Sequence, residues 1–171
     1  MDKRKKVLEI KLEANKQRLE RKIYLDKLPK NLKEYLSEKS YIQTPEKEEI
    51  IEKGIFWIRP EGIGEPLCKP QSYKFQEFSW EEEILLATEL ISNKYDAVEA
   101  FFYPFMNNPI YCVEFGWAKN NLKDLFAFSE QEIGIVSTDL NVGIVISHYC
   151  GYLDLDPNPD EIVYELASWG F

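Results

Sequence analysis

Five oxygen-bearing side chains, Asp154, Asp156, Asn158, Asp160 and Glu165, fall at positions 1, 3, 5, 7 and 12 of one stretch. A calcium loop draws its ligands from that spacing. Two features work against it. The sixth position is Pro159, where the sharp turn of such a loop wants glycine, and the segment before Asp154 is strand-like instead of helical. The same residues also make a helix start, with Asn158 as N-cap, Pro159 in the first helical position, and Asp160 and Glu161 facing the positive dipole end. Capping is the preferred reading, and no metal is expected here.

The one histidine, His148, stands two residues before Cys150, so both point to the same side of a strand. With Cys112 and Cys68 they would complete the ligand count of a Cys3His zinc site. No C-x-x-C pair is present, however, and cysteines on strands are mostly small buried hydrophobes. As a thiol nucleophile with its base, Cys150 and His148 are poorly placed, because i, i+2 neighbours on a flat strand rarely reach hydrogen-bonding geometry. Phosphate-cradling, dinucleotide-binding, serine-hydrolase and zincin motifs are all absent from the sequence. A metal-dependent or thiol enzyme centred on His148, Cys150 and the Asp154–Glu165 loop is therefore the alternative expectation. The main one is a protein with no catalytic residues and no cofactor.

Carboxylates beside aromatic side chains suit a different task. Trp80, Glu81, Glu82 and Glu83 form one such group, and Asp154 with Asp156 a second. Tyr and Trp among acids favour a surface that binds protein. These six residues are the candidate partner contacts.

The charge distribution supports that choice. Of 171 residues, 44% are hydrophobic and 30% charged, which excludes an intrinsically disordered chain. The net charge of −9 is unevenly spread. Residues 1–34 carry twelve Lys and Arg against six acids, and residues 35–171 nine against twenty-four, a balance of −15. Such a body repels nucleic acid and anionic lipid, and attracts cationic partners. No apolar run approaches the roughly 18 residues of a membrane span. Three widely spaced cysteines imply no disulfide framework, and no signal or transit segment is legible at the N-terminus, so the cytoplasm is expected.

These residues need elements to hold them. The chain reads as a single domain: a charged helical arm over residues 1–28 and an acidic body over residues 29–171. Residues 3–26 contain no Gly or Pro and predict a long helix with a thin seam of Leu8, Leu12, Leu19 and Ile23, interrupted by Asn15 and Lys16. Pro29 opens a second helix carrying Leu32, Tyr35 and Leu36. Thr44, Pro45 and Gly54 punctuate a third. Strand-like Ile55–Arg59 and a Pro-rich loop follow, then an aromatic strand around Tyr73, Phe75 and Phe78. Ser79-Trp80-Glu81-Glu82 is a capping box for a helix to about Asn93.

From Ala97 the pattern predicts a meander of strands: Ala97–Phe105, Ile110–Gly116, Leu125–Phe128, Ile133–Thr138 and Gly143–Tyr152. Their short connections favour antiparallel pairing. A closing helix is predicted from Asn158 to about Ser168. No internal repeat or linker divides the body. The expected class is α+β, with N-terminal helices, an antiparallel sheet of five or more strands, and a C-terminal helix.

The stretch Leu28-Pro29-Lys30-Asn31-Leu32-Lys33-Glu34-Tyr35-Leu36 resembles the early helix of the SMI1/KNR4 superfamily. That resemblance implies an α+β fold and a role among bacterial immunity proteins that neutralise secreted toxins. It transfers no site residue. Combined with the acidic body, it leads to the expectation of an immunity or antitoxin protein covering the basic cleft of a toxin, plausibly a nuclease. A structural protein that assembles through the N-terminal helix is the third expectation.

Overall fold

The computed structural model describes residues 3–43, 46, 73–79, 81–89, 91–104, 108–129, 132–150 and 162–171. Apart from Glu46, which is helical, the expected helix at 44–54, the strand at 55–59 and the Pro-rich loop lie outside them.

The long helix α1 spans Lys3–Lys27 and the short α2 spans Lys30–Glu38. Pro29 precedes α2, where its fixed φ of −52° suits a helix entrance. Leu32 and Leu36, one turn apart, are fully buried together with Tyr24, Leu25 and Leu28 from the end of α1. Arg21 of α1 closes the other end of α2. Its guanidinium donates to the carbonyls of Leu36 and Ser37 at 3.3 and 3.1 Å, supplying partners for the open end of the helix. The same cation lies 4.1 Å above the Tyr41 ring.

Among the described residues seven strands are present: β1 (Tyr41–Ile42), β2 (Tyr73–Phe78), β3 (Glu99–Pro104), β4 (Ile110–Glu114), β5 (Glu132–Ser137), β6 (Gly143–Cys150) and β7 (Ile162–Trp169). They form one fully antiparallel sheet in the order β1-β4-β3-β5-β6-β7-β2. The helices α3 (Glu81–Glu89), α4 (Phe115–Asn120) and α5 (Leu122–Ala127) join α1 and α2 on one face. There Ala100, Phe102, Tyr111, Val113, Ile133, Ile135, Ile144, Ile146 and Leu166 meet the helical residues in a continuous core. The opposite face carries a smaller apolar cluster of Tyr103, Ile110, Val136, Val145, Ala167 and Trp169. The α+β class expected from the sequence is the one found.

Three details depart from expectation. The predicted C-terminal helix is strand β7. Its residues pair with β6 on one side and β2 on the other, and Glu165 to Trp169 are buried in succession. A strand covered on both faces loses the period-2 alternation that would distinguish it from a buried helix. The predicted strand Leu125–Phe128 is instead part of α5. Here the cause is topology: β4 and β5 both run antiparallel to β3 and flank it, so they are parallel to each other. A connection between parallel strands must cross the sheet and needs a dozen or more residues, which α4 and α5 provide. The sheet is accordingly not a simple meander: β3 pairs with β4, and β5, β6 and β7 follow one another, but β5 pairs with β3 instead of β4.

Asp139-Leu140-Asn141 makes a tight turn between β5 and β6. Leu140 takes a φ of 63°, and the Asp139 carboxylate accepts from Ser137 Oγ at 2.6 Å and from the Asn141 backbone at 3.1 Å. That local network secures a left-handed residue that leucine disfavours. It also holds the Asp139 carboxyl below the usual range, first through the Ser137 hydrogen bond.

Candidate functional site

Of the six candidate partner contacts, Glu81, Glu82 and Glu83 form the first turn of α3. Trp80, Asp154 and Asp156 lie outside the described residues. Glu82 and Glu83 are exposed and Glu81 half-buried, while Ile84 and Thr88 turn the other side of the helix into the core. Carboxylates at this end are favoured by the helix dipole. Thr88 Oγ1 donates to the Leu85 carbonyl at 2.7 Å, satisfying a hydroxyl that packing has buried.

The fold brings this acidic turn to the end of the sheet where His148 of β6 and Tyr164 of β7 sit side by side. The two are register partners with ring centroids 6.0 Å apart. Phe126 of α5 meets the His148 ring edge-on at 5.6 Å. Partial burial raises the Tyr164 phenol above its ordinary pKa, and the Glu81 and Glu82 charges raise it further. His148 shifts down because burial disfavours its cation, with Glu81 opposing the shift. Its Nδ1 is buried without a hydrogen-bond partner among the described residues.

The His148–Cys112 pairing required by a zinc site is absent. Cys112, a free and half-buried thiol, lies on β4 opposite Phe101. Three strand spacings separate β4 from β6 in the sheet order, roughly 14 Å at about 4.8 Å each. The two residues also point to opposite faces: Cys112 shares its face with Ile110, His148 with Ile144 and Ile146. The Cys150 side chain and Cys68 lie outside the described residues. Among the described residues, no three His, Cys, Asp or Glu side chains gather closely enough to hold a metal ion.

Glu165, the twelfth position of the calcium spacing, lies in the middle of β7 and not at the start of a helix. It belongs to a different constellation. On the sheet face away from the helices, Glu132, Ser147 and Glu165 are consecutive register partners on β5, β6 and β7, and Glu77 of β2 continues the row. Ser147 Oγ donates to Glu165 Oε2 at 3.0 Å. Glu165 is 2% exposed and Glu132 8%. Removal from water, reinforced by the Glu165 charge, pushes the Glu132 carboxyl up to about 8. Burial therefore favours the protonated form of Glu132 at neutral pH, two strands from Glu165 on the same face.

Sequence reasoning missed this row. The available signal was a lone glutamate inside each of two otherwise apolar strands, Glu-Ile-Gly-Ile-Val and Val-Tyr-Glu-Leu-Ala. Which two glutamates meet depends on the strand order and could not be read locally.

Comparison with known proteins places the chain in one setting. A family described as YokC prophage protein matches residues 1–168. The SPbeta prophage-derived uncharacterized protein YokC of Bacillus subtilis (strain 168) is 30% identical over 172 aligned positions, covering 99% of each chain. No solved structure matches.

Proposed function

This chain belongs to the YokC prophage protein family, and on that premise we propose that it is a cytoplasmic binding protein of the immunity or antitoxin type. In this reading it has no chemistry of its own. It neutralises a cationic toxin of the nuclease class by covering the substrate cleft. The carrying observation is the acidic first turn of α3, where Glu82 and Glu83 are exposed and Glu81 half-buried. A nuclease cleft is basic because phosphate contacts dominate its binding, so an anionic surface complements it and speeds encounter. The −15 balance of residues 35–171 acts in the same direction. The likeness of Leu28–Leu36 to SMI1/KNR4 proteins also supports this reading.

The test is co-expression with proteins encoded beside the gene, followed by capture over a salt series. The expected partner is basic, its association weakens as salt rises, and Glu82→Lys with Glu83→Lys weakens it further. A neutral or acidic partner held independently of salt would overturn the proposal.

One observation favours a second reading. A Glu132 carboxyl pushed up to about 8, two strands from Glu165 on the same sheet face, suits acid–base catalysis. Under that reading Glu132→Gln abolishes protection of the host while leaving partner capture intact. Under the binding reading the same change leaves both capture and protection intact, because Glu132 lies on the sheet face away from the acidic turn of α3.

A further inference from the structure

Helix α1 has apolar residues on two sides. At about 100° per residue, Tyr24, Leu25 and Leu28 point into the core, while Leu8, Leu12, Leu19 and Ile23 lie on the far side. These four are 70%, 71%, 57% and 50% exposed, large values for aliphatic side chains of this size. They fall into two copies of one short pattern, Leu8-Glu9-Ile10-Lys11-Leu12 and Leu19-Glu20-Arg21-Lys22-Ile23, eleven residues apart. Eleven residues make almost three whole turns, so the second copy lies straight above the first on a nearly untwisted helix. Asn15 and Lys16 sit between them on the same side, and Lys16 pairs with Glu20 at 3.9 Å.

We propose that this outer face of α1 is a dimer interface, occupied by the same face of a second copy running parallel to it. Charge decides the orientation. Glu9 and Glu20 border the stripe on one edge, and Lys11 and Lys22 on the other. A parallel two-fold pair lays the acidic edge of each helix against the basic edge of its partner. Glu9 then faces Lys11, and Glu20 faces Lys22, with each contact made twice. An antiparallel pair would instead set glutamates against glutamates and lysines against lysines. Parallel pairing also stacks each aliphatic residue on its own copy and brings the two Asn15 side chains together, a contact that fixes register in parallel helix pairs. The bodies do not interfere, because each lies on the opposite side of its helix. This interface is independent of the acidic turn of α3.

The experiment is sedimentation equilibrium of the full chain over a wide concentration range, with two sets of variants. A concentration-dependent dimer is expected, and Leu12→Asp with Leu19→Asp should raise its dissociation constant by at least about tenfold. Leu8→Cys should form an oxidised dimer that the parent chain does not, since parallel pairing brings the two copies of residue 8 together. Should the aspartate pair disturb the near-ultraviolet spectrum, Lys11→Glu/Lys22→Glu replaces it. That chain should be monomeric alone and form a heterodimer with Glu9→Lys/Glu20→Lys. A monomer at every concentration, a dimer indifferent to these changes, or a dimer without the residue 8 crosslink would each overturn the proposal.

Discussion

Glu132 and Glu165 lie two strands apart on one face of the sheet, with Ser147 in register between them and hydrogen-bonded to Glu165. Both are buried, and the charge of one helps to keep the other protonated. An unfolded glutamate releases its proton near 4.5, whereas folded Glu132 keeps it up to about 8.

The sign of the pH effect follows. Stability from Glu132 is fully present below the unfolded value and is lost as pH rises through the folded one, because the native state there binds the extra proton. Glu132→Gln should therefore become progressively stabilising relative to the parent between pH 4.5 and 8. The difference should approach a few kcal/mol, about 1.4 for each pH unit traversed. Denaturant unfolding at several pH values measures it; a difference that stays flat with pH would contradict the assignment.

His148 should impose the opposite slope. Its folded pKa lies below the ordinary histidine value because burial disfavours the cation. Its contribution is present above the unfolded value and is lost as pH falls into the acid range. His148→Phe should remove that acid-side loss while keeping the edge-on contact with Phe126. The melting temperature on either side of pH 6 gives the readout.

Lys119 is a buried cation whose side chain is 5% exposed. Its Nζ lies 2.9 Å from Asp96 Oδ1 and 2.5 Å from Asn93 Oδ1, tying α4 to the turn before β3. Asp96 is 36% exposed, so solvent already screens part of the pair. Lys119→Ala should cost about 2–3 kcal/mol, less than the loss of a fully buried pair. Asp96→Asn should cost less, since it leaves a polar neighbour and removes the anion.

Gly116 and Gly143 admit no side chain. A Cβ on Gly116 would lie 2.5 Å from Asp96 Cβ and 2.8 Å from its Cα, and one on Gly143 would enter the Trp169 ring. Asp96 must move its backbone, and Trp169 is held by its indole nitrogen donating to the Leu140 carbonyl at 3.0 Å. Either alanine substitution should destabilise by about 1–3 kcal/mol, as overpacking does. Chemical denaturation of Gly116→Ala and Gly143→Ala checks this directly.

Local chemistry determined much of this molecule without help from distant residues. The uninterrupted helix formers of α1, the proline entrance of α2, the acidic first turn of α3 and the Asp139 turn are all decided within a few neighbouring side chains. The division into a basic arm and an acidic body is a matter of counting. Tertiary structure decided what depends on partners far along the chain. Residues 162–169 became a strand because β6 and β2 supply hydrogen bonds on both sides, overriding a helix start that the capping pattern favoured. Residues 122–127 became a helix because β4 and β5 run parallel and the chain must cross between them. Above all, Glu132 and Glu165 stand 33 positions apart in the sequence. Only strand register makes them neighbours, and only burial turns that proximity into a held proton.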